Sequence, residues 1–173
     1  MERDELARRI FEVSHLTGSF KLRSGRTATE YFDKYQFESA PILLDAVGEQ
    51  MALLIPRGTE ILAGLELGGI PVVTAVSRHS GLPVAFVRKE AKKYGTARFS
   101  EGAEINGRQV LIIEDVVTSG GQVVASAEEL RRLGARIDYA LCVIDRQEGG
   151  AERLEAERIT LISCFKREDL SRR

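Results

Sequence analysis

The sequence predicts an α/β fold: a doubly wound, mostly parallel sheet flanked by helices, with a small N-terminal hood ahead of it. Two observations carry this. From residue 60 onward, short apolar runs alternate with segments of helical period, the pattern of strands joined by crossover helices. The runs are also apolar throughout, as in Val110-Leu111-Ile112-Ile113, which suits strands covered on both faces.

Residues 3 to 14 place Leu6, Ile10 and Val13 on one helical face, and Gly18 offers a break just beyond them. Two short aromatic-rich pieces, Phe20 to Leu22 and Glu30 to Tyr35, flank Ser24-Gly25-Arg26 and predict a strand-turn-strand hood. Pro41 opens a helix carrying Leu44, Val47, Met51 and Leu54, because proline is tolerated in the first turn. Strands follow at Glu60 to Gly64, Pro83 to Val87, Gln109 to Ile113, Ile137 to Ile144 and Ile159 to Cys164, with helices at 70 to 78 and 120 to 132. The hood spans residues 1–38 and the core residues 39–165 of one domain, and Lys166 to Arg173 forms a short charged helix end.

One stretch departs from the alternation. Arg88 to Gly107 is long, polar and glycine-punctuated, with basic groups at Arg88, Lys89, Lys92, Lys93 and Arg98, and no strand or helix is predicted in it. Loops of this length are either functional or disordered, and the plainer alternative is a solvated charged excursion.

Composition narrows the function classes. With 43% hydrophobic and 29% charged residues the chain is an ordinary globular protein rather than a disordered one. Its 25 basic and 26 acidic residues nearly cancel, so any anion site must be local, and neither nucleic acid nor a membrane surface is indicated as a partner. Cys142 and Cys164 sit in apolar runs and are expected to be reduced core residues. His15 and His79 lack acidic or cysteine partners at ligand spacing, so no protein metal centre is predicted. The N-terminus has no apolar signal core and no later run nears the ~20 apolar residues of a membrane span, which makes a cytoplasmic protein the expectation.

The chemistry concentrates between residues 110 and 121. An apolar strand ends in two carboxylates, Glu114 and Asp115; Val116 and Val117 follow; then Thr118-Ser119-Gly120-Gly121 opens a helix. Small residues let backbone amides approach an anion, the hydroxyls add donors, and the helix N-terminus adds a favourable dipole. Adjacent carboxylates are good acceptors for a vicinal diol, so the whole reads as a site for a sugar phosphate. The Gly-Lys-Ser/Thr ending of an ATP loop and the glycine spacing of a dinucleotide fingerprint are both missing. A plain strand-turn-helix with a capping hydroxyl is the structural alternative.

The stretch Val110 to Gly121 closely resembles the signature of type I phosphoribosyltransferases, which bind 5-phosphoribosyl 1-pyrophosphate (PRPP). The resemblance implies that Glu114 and Asp115 meet the ribose hydroxyls while Thr118, Ser119, Gly120 and Gly121 hold the 5′-phosphate, with Val116 and Val117 between them. Three further segments are similar to the orotate phosphoribosyltransferases. Phe20 to Arg26 with Tyr31-Phe32 resembles that family's hood, which implies Lys21, Tyr31 and Phe32 at the base, together with Thr118. Arg88-Lys89-Glu90-Ala91-Lys92-Lys93-Tyr94-Gly95 resembles its mobile loop, which implies pyrophosphate contacts and catalytic roles for Arg88, Lys89 and Lys92 beside Asp115. Tyr94 stands where the family usually has histidine, and tyrosine would not titrate near neutrality. Ile144 to Gly149 resembles the segment whose arginine, here Arg146, pairs with the carboxylate of the base; a guanidinium fork matches a carboxylate.

Gly64 to Pro71 also resembles the family's pyrophosphate loop, with Glu66, Leu67 and Gly68 against the leaving group. The implied reaction is transfer of the phosphoribosyl group to orotate, giving orotidine 5′-monophosphate in pyrimidine (UMP) biosynthesis. Magnesium held mainly by PRPP and a homodimer sharing the mobile loop are implied too. Two alternatives remain at this stage. A purine phosphoribosyltransferase would share the PRPP signature but leaves Arg146 and the basic loop unexplained, and a non-catalytic PRPP-binding regulator would call for a basic face.

Overall fold

The computed structural model describes residues 1–21, 25, 27–90 and 99–171. The chain runs α1 (Arg3–Ser14), β1 (His15–Lys21), β2 (Thr27–Phe32), α2 (Tyr35–Glu38), α3 (Pro41–Ala52), β3 (Ile61–Leu65), α4 (Gly69–Ser80), β4 (Val84–Val87), β5 (Ser100–Gly102), β6 (Gln109–Val117), α5 (Gly121–Arg132), β7 (Arg136–Asp145), α6 (Gly150–Ala156), β8 (Thr160–Lys166) and α7 (Arg167–Ser171). Six strands form one sheet in the order β5-β4-β3-β6-β7-β8, parallel except for β5. This is the predicted doubly wound sheet.

The period-2 geometry of β6 sorts the core. Leu111 and Ile113 face α3 and α4 in a cluster with Val47, Met51, Val72 and Val76, while Val110 and Ile112 face α5 and α6 with Val123, Ala127, Leu130 and Leu154. Both faces are therefore covered, which is why the central runs are continuously apolar. Pro41 occupies the first turn of α3, and α4 closes on Gly81 at φ 74°, with Arg78 and His79 complementing its carboxyl end. Among the described residues no helix is long and apolar enough to cross a membrane.

The hood differs in detail from its prediction. α1 passes straight into β1, and Gly18 does not break the helix: it lies in the strand, where one extra residue of β1 between Thr17 and Phe20 makes a bulge against β2. Val13 is 39% exposed, so the buried face of α1 is Leu6, Ala7, Ile10 and Ser14. Leu54 lies beyond the end of α3 and is 37% exposed. The excursion after β4 contains a strand after all: β5 pairs antiparallel with β4 and forms the sheet edge. α2 and α6 had no predicted counterpart; each is under two full turns of buried apolar pattern, too short for periodicity to show.

The two histidines find acidic partners that sequence spacing hides. His79 Nε2 lies 3.1 Å from Asp45 Oδ1 across α3 and α4, and His15 Nε2 lies 3.5 Å from Glu30 Oε2 across the hood strands.

Candidate active site

Strand order reverses between β3 and β6, so the loops leaving their carboxyl ends diverge and open a crevice, the usual place for a ligand in such sheets. The loop Glu66–Gly68 leads from β3 into α4, and the turn Thr118–Gly120 leads from β6 into α5. Gly64 pairs with Ile113, so β3 has already turned away where Glu114 and Asp115 follow. β6 nevertheless continues to Val117 because β7 keeps pairing with it, Val116 with Ile144 and Val117 with Asp145. The carboxylates therefore stand on a strand, not past its end as the sequence suggested.

Asp115 is fully buried. Its Oδ1 accepts the Val116 N–H at 2.5 Å, and its Oδ2 forms an ion pair with Lys34 Nζ, which reaches in from the turn before α2. Gly68 explains how the loop after β3 comes so near: a Cβ there would overlap the Asp115 carboxylate. Glu38, on α2, completes the cluster. Its carboxyl is buried beside Asp115, and neither oxygen meets a donor among the described residues.

The charges follow. Burial first, then Asp115, pushes the Glu38 carboxyl up to about 9, leaving it neutral near pH 7. Burial and the same neighbour hold Glu114 well above the ordinary carboxylate range. Burial opposes the charge on Lys34, but Asp115 and Glu114 outweigh it, so the ammonium is retained.

The root of the basic excursion is fastened to the same crevice. Lys89 donates its backbone N–H to Glu66 Oε1 at 2.6 Å, Arg88 donates its own to Phe99 O at 2.9 Å, and Arg88 Nε lies 3.8 Å from Glu101 Oε1. The Lys89 side chain is exposed. Lys92 and Tyr94 fall outside the described residues.

Thr118 and Ser119 are exposed at the mouth of the turn, and Gly120 takes φ 72°, the left-handed conformation that admits glycine. α6 packs beneath: a Cβ on Gly120 would strike Leu154, and Arg153 brings its guanidinium within 3.2 Å of where a Gly121 Cβ would stand. Arg146 is joined to the turn through its backbone, donating its N–H to Val117 O at 2.9 Å, while its side chain pairs with Glu148 at 3.0 Å.

The hood residues divide. Tyr31 is 45% exposed and stacks on Phe20 at 5.5 Å, whereas Phe32, pointing the other way along β2, packs against the core. Lys21 is exposed at the end of β1. The lysine that reaches the carboxylate pair is Lys34 instead. Neither it nor Glu38 nor Arg153 was singled out from the sequence; no motif marks them, and only the docking of α2 and α6 brings them in.

This sheet, with a carboxylate pair beside a hydroxyl-glycine turn at its switch point, has the type I phosphoribosyltransferase fold. The model of the phosphoribosyl transferase domain matches residues 36–170. An orotate phosphoribosyltransferase of a Nocardioides strain is 52% identical over 145 residues, 84% of this chain and 81% of the relative. A crystal structure of Mycobacterium tuberculosis H37Rv orotate phosphoribosyltransferase superposes with a TM-score of 0.90 at 32% identity, covering 98% of this chain and 99% of that one. The same enzyme solved in complex with PRPP gives a TM-score of 0.85 at 28% identity over 98% and 99% of the two chains. The chain belongs to the orotate phosphoribosyltransferase family.

Proposed function

We infer that the protein transfers the phosphoribosyl group of PRPP to orotate, giving orotidine 5′-monophosphate and pyrophosphate. One observation carries the reading: where β3 and β6 diverge, the Glu114 and Asp115 carboxylates, the turn Thr118 to Gly121 and the loop Glu66–Gly68 lie side by side, with Arg146 joined to that turn through its backbone. Glu114 and Asp115 hold the ribose hydroxyls. Thr118, Ser119, Gly120 and Gly121 hold the 5′-phosphate through backbone amides and hydroxyls at the start of α5.

The leaving group faces Glu66, Leu67 and Gly68, with Arg88, Lys89, Lys92 and Tyr94 on its other side. As the bond from the anomeric carbon to pyrophosphate breaks, its electron pair leaves with the pyrophosphate; N1 of orotate bonds to that carbon, and the N1 proton passes to an oxygen of the departing pyrophosphate. No protein nucleophile is required. The residues act by positioning and by placing positive charge where negative charge develops. Arg146, beside Thr118, takes the carboxylate of orotate, and Lys21 and Tyr31 line the base from the hood, while Phe32 supports the hood from the core side.

Among the described residues no group of three or more His, Cys, Asp or Glu is arranged to hold a cation. Magnesium bound chiefly by pyrophosphate oxygens would neutralise the leaving group. A homodimer with a shared loop and a cytoplasmic location complete the proposal.

The test is orotate consumption, followed by its ultraviolet absorbance, with PRPP and magnesium, beside hypoxanthine, guanine, adenine, xanthine and uracil. PRPP-dependent loss of orotate alone is the expected result. Reaction of a purine with orotate untouched would overturn the base assignment and leave the sugar phosphate site standing.

A further inference from the structure

Lys34 belongs to none of the segments that mark the site, yet it is the cation that touches the most buried carboxylate in it. We propose that Lys34 is a substrate-binding residue for the pyrophosphate end of PRPP, exchanging Asp115 in the free protein for a pyrophosphate oxygen in the complex. The inference rests on the functional reading above and assigns a new residue to it.

Position is the first argument. The Lys34 ammonium pairs with Asp115 Oδ2 and stands 3.0 Å from where a Cβ on Gly68 would lie. It therefore sits at the seam between the diol carboxylates and the loop facing the leaving group, the two halves of the substrate that meet at the anomeric carbon.

Access is the second. Asp115 is wholly buried, but the Lys34 side chain keeps 30% of its surface exposed, so the pair lies at the boundary between the interior and solvent. Its four-carbon stem swings without moving the backbone, and the Tyr35 ring, 5.2 Å from Nζ, flanks it.

Charge is the third. Lys34 faces Asp115 and Glu114 on β6, Glu38 on α2 and Tyr35 beside it. When ribose hydroxyls donate to the carboxylates, they take over the role that the ammonium fills in the free protein. A buried ammonium freed of its partner is costly, and the nearest incoming anion is pyrophosphate.

The experiment titrates the full-length protein by calorimetry with inorganic pyrophosphate plus magnesium and, separately, with ribose 5-phosphate, for the natural sequence, Lys34→Gln and Lys34→Arg. Loss of one charge-assisted contact should weaken pyrophosphate about tenfold in Lys34→Gln while ribose 5-phosphate changes by less than about twofold, and Lys34→Arg should recover most of the loss. Equal loss of both ligands would overturn the proposal, because Lys34 would then merely hold Asp115 in place; so would no loss of either. Should Lys34→Gln fail to fold, Lys34→Met, which keeps the length of the stem without the charge, decides: a loss confined to pyrophosphate supports the proposal, and equal loss of both ligands or loss of neither overturns it. Pyrophosphate binding does not depend on which base reacts, so failure of the orotate assignment is read separately.

Discussion

Glu66 and Lys89 are joined directly: the Glu66 carboxylate accepts the Lys89 backbone N–H at 2.6 Å, and the Glu66 N–H donates to Val87 O at 2.9 Å. The loop after β3 and the root of the basic excursion after β4 therefore move as one piece. Glu66→Ala should lower kcat about tenfold, the worth of one charge-assisted hydrogen bond. Both groups are exposed, so the melting temperature should hardly change. Steady-state rates beside a thermal melt check this, and an unchanged kcat would count against the coupling.

Lys89→Ala tests the leaving-group reading. The side chain is exposed and contributes nothing to the core, so turnover should fall far more than stability. Rates and melting temperatures falling together would point to a structural role.

Glu38 gives the protein a pH dependence. Its carboxyl lies at about 9 in the fold against 4.5 for an ordinary glutamate, so the folded state holds a proton that the unfolded chain releases. The stability this group contributes is fully present below the lower value and is lost as pH rises toward the higher one. The melting temperature should therefore fall between about pH 5 and 9, and Glu38→Gln, neutral throughout, should flatten that fall. Glu114, shifted in the same direction, sets the slope that remains. Equal slopes for the two proteins would mean that Glu38 ionises normally.

Gly68→Ala isolates one steric contact. The backbone there, φ −68°, accepts alanine, but the new methyl would overlap the Asp115 carboxylate. We expect a loss of about 1–3 kcal/mol in stability from overpacking, with a marked loss of PRPP affinity. Calorimetry with PRPP and a denaturant melt measure the two, and retained PRPP binding would show that Asp115 can withdraw.

Arg146→Ala should raise the KM for orotate by about ten- to a hundredfold, since a guanidinium-carboxylate pair is worth roughly 1.5–3 kcal/mol. The KM for PRPP should stay the same. Steady-state kinetics with each substrate varied in turn distinguish this from a general loss of the site.

Much of the fold was legible because its signals are local. Val110 to Ile113 reads as a doubly covered strand from four consecutive apolar residues, and Pro41 marks the start of α3 unaided. The carboxylate pair and the turn to Gly121 were legible for the same reason, since contiguous residues at one strand end need no partner to be recognised. What failed was local pattern without tertiary context. Gly18 looked like a helix stop but forms a strand bulge, because β2 supplies the pairing. The excursion after Val87 looked structureless, because a three-residue edge strand has no periodicity of its own.

The sequence by itself determined the sheet's interior strands, their alternation with the longer helices, and the carboxylate pair followed by the hydroxyl-glycine turn, all written in residues adjacent along the chain. Only the tertiary structure decided the charge state of the site. Asp115 lies far in sequence from Lys34 and Glu38, and their pairing and burial arise where α2 docks against the end of β6. Coulomb energies and desolvation depend on distance through space and on exclusion of water, neither of which a linear pattern records.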